Sequence, residues 1–255
     1  MRIVINPKYE YLADFVRKIP DETYEWDVLY KNDRNTVKKV TVNGTTLVVK
    51  RYKRPTLANC FIYTFFKMNK AKRSYVYGFR LKEMGFNTAE PVAYIEISRN
   101  GFFHTGYFVS AFLPYPLLKE VENYQGALKS EVLSDFAEFT IRQHEAGILN
   151  NDYNLTNVFF HKEEERWEFA LIDTNRIVFR RKLSRGGIIR QMQSISASIN
   201  TITEIAEHYA VQRGWNADLF CGVLLLRRGM AVMGKIKRFF KNRLVEIKGV
   251  LQVTS

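Results

Sequence analysis

Two hydrophobic periods alternate along the chain, and their order predicts a β-rich first part followed by a mainly helical second part. The stretch YEYLADFVRKI places Tyr11, Leu12, Phe15 and Val16 at helical spacing, and Pro20 stops that helix. Strand patterns follow at 26–30, 36–42 and 45–52, the last two joined by the hairpin dipeptide Asn43-Gly44. Pro55 opens a helical region that runs to Met84 in two pieces and ends at Gly85. Alternating runs at 89–97 and 102–112 flank Asn100-Gly101 and predict a second hairpin, broken at Leu113-Pro114-Tyr115-Pro116. An amphipathic helix is expected over 128–146, its apolar face formed by Leu133, Phe136, Ala137, Phe139, Thr140 and Ile141, with Gly147 closing it. From Ile188 to about Gly249 the pattern gives two or three helices, separated near Gly214-Trp215-Asn216.

Length and charge narrow the classes. A chain of 255 residues can bury a sizeable core, as one two-lobed unit or two small domains. Lys and Arg number 39 against 26 Asp and Glu, and the net charge of +13 calls for an anionic partner: nucleic acid, an acidic membrane face or a phosphorylated substrate. Arg51-Tyr52-Lys53 and Arg238-Phe239-Phe240-Lys241 interleave cations with rings that stack bases, yet no RRM signature, KH motif or zinc finger is present. Cys60 and Cys221 lie in apolar helical contexts without CxxC spacing, so both are expected as buried free thiols, which favours a reducing compartment. Residues 1–11 lack the apolar core of a signal peptide, and no apolar run approaches the roughly 18 residues of a spanning helix. A soluble cytoplasmic protein is therefore expected.

Two stretches join apolar and basic residues. LANCFIYTFF, followed by Lys67, Lys70, Lys72 and Arg73, reads either as a core helix with a solvated basic face or as a helix resting on a membrane surface. Near the C-terminus, Arg227, Arg228, Lys235, Lys237, Arg238, Lys241 and Arg243 surround Ile236, Phe239, Phe240 and Leu244, a pattern that suits either anionic headgroups or solvent.

The candidate chemistry lies in 144–173, HEAGILNNDYNLTNVFFHKEEERWEFALID. Asp152 precedes Asn157 by five positions, and the apolar run Phe169 to Ile172 delivers a second carboxylate, Asp173. A phosphoryl-transfer enzyme needs a carboxylate to orient the attacking hydroxyl and take its proton, and hard oxygens to hold magnesium on the phosphates. Asp152 suits the first task; Asn157 and Asp173 suit the second. Upstream, the β-rich run Thr45 to Val49 ends in Lys50, and a lysine on such a strand can reach α- and β-phosphates. The D-x-x-x-x-N spacing alone also occurs by chance, and a strand-end Asp is often a turn or cap residue. His144, in the last helical turn, reads as a capping or packing residue. Neither a serine nucleophile elbow nor an HExxH pair is present.

Together TLVVKRYKRP, KAKRSYVYGFRLKEMGFNTAEPVAYIE, HEAGILNNDYNLTNVFF and LIDTNR resemble the protein-kinase-like fold and, within it, the bacterial lipopolysaccharide core kinases that phosphorylate Kdo or heptose sugars on lipid A. The resemblance runs over about 30–180. It implies an α+β fold of two lobes, a small antiparallel β lobe (1–113) and a larger, mainly helical lobe (114–255). It further implies ATP and Mg2+ as cofactors, Lys50 on the ATP phosphates, Asp152 as base, Asn157 and Asp173 as magnesium ligands, and adenine against the backbone of Ala111 to Leu113. The expected substrate is an anionic glycolipid, the lipopolysaccharide core, phosphorylated at the periphery of the inner face of the membrane. The basic run Arg180, Arg181, Lys182 and Arg185 would lie near that acceptor, and Arg176 would meet either a phosphate or Asp152.

The chain departs from the kinase pattern in four places. Asn150 stands where a histidine usually precedes the base; the helix that should carry a glutamate for Lys50 offers Ser74, Tyr75 and Val76, with Glu83 near its end. Thr174 and Asn175 follow Asp173 in place of Phe-Gly, and the turn at Lys31, Asn32, Asp33, Arg34 and Asn35 has no glycine. These departures support an alternative: a non-catalytic pseudokinase serving as a membrane-associated or protein-binding scaffold.

Overall fold

Two Asn-Gly dipeptides organise the first sheet. Asn43 and Gly44 (φ 50° and 74°) and Asn100 and Gly101 (φ 51° and 80°) all take left-handed backbone, the conformation that tight two-residue hairpins require. The computed structural model describes residues 1–31, 35–231 and 233. Of the turn at 31–35, Asn32, Asp33 and Arg34 lie outside the described residues, as do the C-terminal Lys235, Ile236, Lys237, Arg238, Phe239, Phe240, Lys241, Arg243 and Leu244.

The chain divides into two units, the first made of Met1–Leu118 with Thr156–Ile177. Its strands β1 (Arg2–Ile5), β2 (Val28–Lys31), β3 (Asn35–Val42), β4 (Thr45–Tyr52), β6 (Pro91–Arg99) and β7 (Phe102–Ala111) form one antiparallel sheet in the order β1-β6-β7-β4-β3-β2. Strand alternation gives this sheet two faces. Leu47, Val49, Ala93, Ile95, Tyr107 and Val109 point to one, where residues 7–21, including helix α1 (Ala13–Lys18), cover them with Tyr9, Leu12, Val16 and Ile19. Tyr52, Tyr94 and Phe108 point to the other, beneath Ala71 and Tyr75 of α3 (Lys70–Glu83). Gly78 lets α3 approach β6, since a Cβ there would lie 2.6 Å from Cγ of Pro91. A shorter helix, α2 (Leu57–Phe65), packs against β7.

A second sheet in this unit joins the two-residue β5 (Asn87–Thr88) in parallel to β10 (Arg166–Leu171), which pairs with β9 (Val158–Glu163) in a hairpin. The Tyr115 ring stacks on His161 at 4.0 Å.

The second unit comprises Lys119–Leu155 and Val178–Ser255. Helix α4 (Gly126–Glu145) packs on α6 (Ile199–Gln212) and leads into β8 (Ile148–Asn150), which pairs with β11 (Ile177–Phe179); α5 (Arg185–Met192) packs on β8. The chain is helical again over 217–231. Tyr153 is fully buried, its ring stacked on Phe136 at 5.7 Å and its hydroxyl bonded to Thr140 at 2.7 Å.

Two features differ from the pattern-based expectation. Strand β1 pairs Arg2 with Glu96 and Ile5 with Ala93, a register set about 90 residues away that a four-residue segment with three apolar side chains could not announce alone. Helix α2 is no core helix: Cys60 is its buried side chain, while Leu57, Phe61 and Phe65 are exposed. Cys60 and Cys221 are both free and buried.

Candidate active site

Lys50 reaches its position through the two-residue period of β4. It faces the same side as Tyr52, toward α3, with its Nζ 5.2 Å from the centroid of the Tyr52 ring. That Nζ lies 2.8 Å from Oδ2 of Asp173, and both side chains are largely shielded. Asp173 stands just past β10 in left-handed backbone (φ 56°, ψ 45°), a conformation that Asp tolerates better than most residues and that tends to persist at functional positions. Its other oxygen, Oδ1, accepts from the Asn175 carboxamide, so both carboxylate oxygens are oriented.

The register of the β9–β10 hairpin brings Asn157 to the same end of the sheet. Val158 pairs with Leu171, and one step further the Ile172 N–H donates to the Asn157 carbonyl at 2.9 Å. Lys50, Asn157 and Asp173 therefore assemble within the first unit. No group of three or more His, Cys, Asp or Glu side chains suited to a metal occurs among the described residues. One carboxylate and one carboxamide are hard oxygen donors that fit Mg2+, which takes its remaining ligands from water and phosphate oxygens.

Helix α3 explains how Lys50 manages without a glutamate. Ser74 lies one turn into α3, and its hydroxyl shares a 2.7 Å hydrogen bond with the buried Tyr52 hydroxyl; its carbonyl accepts from Thr174 Oγ1 at 3.3 Å. Burial, foremost, and the Asp173 carboxylate push the Tyr52 phenol well above its usual pKa, so it remains a neutral donor. The first turn of α3 carries no acid. Lys70 instead enters the neighbourhood, its pKa lowered first by burial and then by Arg176, with Arg73 and Lys50 acting in the same sense and Asp173 opposing. Lys50, Arg73 and Arg176 thus act on Lys70 with Asp173 opposing them, and such a gathering of cations attracts a polyanion.

Asp152 belongs to the second unit, five residues of chain from Asn157. Its backbone N–H donates to Oδ1 of Asn150 at 2.9 Å, and the Asn150 N–H donates to Oε1 of Gln191, on α5, at 2.7 Å. Asn150, almost fully buried, therefore fixes the backbone of the loop from the histidine-like position. His144 is a packing residue, its Nδ1 bonded to the Tyr209 hydroxyl at 2.9 Å.

Ala111 ends β7, where its N–H donates to the Glu90 carbonyl at 2.9 Å; the Phe112 N–H donates to Thr46 at 3.0 Å. Leu113, past the strand, is half-buried. Asn175, the Tyr52–Ser74 pair, Lys70 as a site cation and Gln191 escaped the motif reading. Asn175 left a usable signal, because an Asn two residues after an Asp in a turn is placed to bond it. The others depend on contacts remote in sequence.

The model of a family described as "Lipopolysaccharide kinase (Kdo/WaaP) family" matches residues 32–202. No curated protein matches the sequence. Among solved structures, one described as WaaP in complex with acyl carrier protein superposes with a TM-score of 0.60 at 15% identity, covering 93% of this chain and 97% of that one. Another, a co-crystal of WbdD and the kinase inhibitor LY294002, gives a TM-score of 0.45 at 15% identity, covering 81% of this chain and 46% of that one.

Proposed function

Because this chain belongs to the lipopolysaccharide kinase (Kdo/WaaP) family and is a kinase, we propose that it transfers the γ-phosphoryl group of Mg-ATP to a sugar hydroxyl of the lipopolysaccharide core or a lipid A-linked glycolipid. The observation that carries this reading is the Lys50–Asp173 pair, held at 2.8 Å at the sheet end that also bears Asn157.

In this reading Lys50 leaves its ion pair to lie against the nucleotide phosphates. Asn157 and Asp173 hold magnesium, whose role when bound is to neutralise charge on the phosphates. Asp152 orients the acceptor hydroxyl and takes its proton as the new O–P bond forms and the bond between the γ-phosphorus and the ADP oxygen breaks. Adenine lies against the backbone near Ala111 and Leu113, with Leu113 past the N–H groups already used by the sheet. The division into a nucleotide-covering lobe (1–113) and a catalytic, acceptor-binding lobe (114–255) belongs to this proposal, as does a role for Arg180, Arg181, Lys182 and Arg185 toward an anionic acceptor. No described helix is long and apolar enough to cross a membrane. Action on a glycolipid from the inner face of the membrane is the location the reading requires.

Calorimetry of ATP binding with and without magnesium, on the wild type and on Asp173→Asn, tests the nucleotide site. Magnesium-dependent binding that weakens in the variant supports it.

One observation favours a second reading: α3 offers Lys50 no carboxylate, and Ser74 is tied to Tyr52. If no nucleotide binds in either form, the chain is a pseudokinase that uses the fold as a membrane-associated or protein-binding scaffold.

A further inference from the structure

Helix α2 presents its two phenylalanines to solvent. Leu57, Phe61 and Phe65 recur at four-residue spacing, hence on one helical face, and are 79%, 49% and 60% exposed. Phe66, just past the helix, is 73% exposed, and Phe102, where β7 begins, is 44% exposed. The rings form one cluster: Phe61 lies 5.0 Å from Phe65, 5.8 Å from Phe66 and 6.4 Å from Phe102, centroid to centroid. Hydrophobic residues scattered singly on a surface need no explanation, whereas a contiguous group of this kind marks an interaction site.

The surroundings of the cluster identify its partner. Lys53 and Arg54 precede α2, Lys67 follows it, and Arg99 adjoins the Asn100-Gly101 turn that delivers Phe102; all four cations are exposed. Near Phe102, His104 is held below its usual pKa by burial and then by the charges of Arg99, Arg54 and Arg51. On the other flank, Arg2, Lys67 and Lys72 line an open cleft of about 480 Å³ whose walls include Tyr63, Phe65 and Phe66. Glu96 also lines this cleft, its carboxylate engaged by Asn69 and 4.0 Å from Arg2. Glu22 pairs with Arg51.

Exposed phenyl rings enclosed by cations match an anionic bilayer, where rings enter the boundary between headgroups and acyl chains while Lys and Arg meet lipid phosphates. We propose that this cluster, Phe61, Phe65, Phe66 and Phe102 with its ring of Lys and Arg, is the surface by which the protein docks on an anionic phospholipid membrane. The cleft beside Phe65 and Phe66 then receives a headgroup phosphate. The inference rests on the membrane location in the proposed function but not on its chemistry.

The test uses the full chain with an environment-sensitive NBD fluorophore on Phe65→Cys. Cys60 and Cys221 are buried, so the wild type treated in the same way gives the labelling blank. Vesicles of phosphatidylglycerol and phosphatidylethanolamine should shift the emission to the blue and raise it severalfold, while phosphatidylcholine vesicles should do neither. In co-sedimentation, Phe61→Ser/Phe65→Ser/Phe102→Ser should lower partitioning to the anionic vesicles by about tenfold or more, with its melting temperature and Mg-ATP binding unchanged. Vesicle binding that leaves the label at position 65 in water would overturn this surface and leave the membrane location standing. Absence of vesicle binding would overturn both, and the Mg-ATP measurement would still judge the kinase chemistry separately. A fluorescence response to an acidic carrier protein but not to vesicles would reassign the surface to a protein partner.

Discussion

Lys50 Nζ stands 2.8 Å from Asp173 Oδ2, so the strand lysine finds its carboxylate at the end of the β9–β10 hairpin and not on the helix above it. The pair joins two side chains separated by more than 120 positions, and the bond from Asn175 to the second oxygen of Asp173 holds that carboxylate in place. Lys50→Met is expected to weaken Mg-ATP binding and to lower phosphoryl transfer by about 10²-fold or more, since removal of one preorganised charge at such a site typically has that effect. The pair is partly hydrated, so the fold should survive. Calorimetry and initial rates, alongside a far-UV spectrum, check this.

Within the second unit, Gln191 holds the loop that carries Asp152. Its side-chain oxygen accepts the N–H of Asn150, whose own side chain accepts the N–H of Asp152. Gln191→Leu leaves a buried N–H without that acceptor, at a cost of about 1–3 kcal/mol, and loosens Asp152, the proposed base. The transfer rate should fall while Mg-ATP affinity stays within about twofold. Equal losses in both would contradict a positioning role.

His144 makes stability depend on pH. Burial, followed by the Arg213 charge, lowers its pKa from 6.5 to about 4. The unfolded chain gains a proton as pH falls through about 6.5, while the folded chain remains neutral until about 4. Stability is thus fully retained above pH 6.5 and declines as pH drops through that window, by roughly 3 kcal/mol in all if each pKa unit is worth about 1.4 kcal/mol. Urea unfolding at pH 7 and pH 5 should show a smaller difference for His144→Phe than for the wild type.

Gly147 joins α4 to β8 with φ 74°, and a Cβ there would run into the Arg180 carbonyl oxygen, whose residue also donates its N–H to Gly147 at 2.8 Å. Gly147→Ala should cost about 2 kcal/mol or more, through both the positive φ and the clash. Thermal unfolding measures it.

How much of this could be read beforehand varied with the range of the interaction. The Asn43-Gly44 and Asn100-Gly101 turns, the break between α2 and α3, and the α4 face built on Leu133, Phe136 and Ala137 are local patterns, and each appears as expected. Lys50, Asp152, Asn157 and Asp173 stood out because phosphoryl transfer restricts residue type and order, and the structure brings Lys50 onto Asp173 at 2.8 Å. The partner of Lys50 was not, because its choice between α3 and the end of β10 depends on how Tyr52 and Ser74 pack. At α2 the apolar stretch LANCFIYTFF left a core helix and a surface helix both open, and the exposure of Leu57, Phe61 and Phe65 decides against the core. Strands β1 and β5 stayed hidden, being four and two residues long and defined by distant partners.

Transfer of labelled phosphate from the γ-position of ATP to a purified lipopolysaccharide core acceptor, in the wild type and in Asp152→Ala, tests the central claim most directly. Magnesium-dependent labelling of the glycolipid that falls by about 10²- to 10⁴-fold in the variant, with Mg-ATP binding largely kept, is the predicted result. Equal turnover in the two proteins, or Mg-ATP binding by the wild type without transfer to the glycolipid, would contradict it.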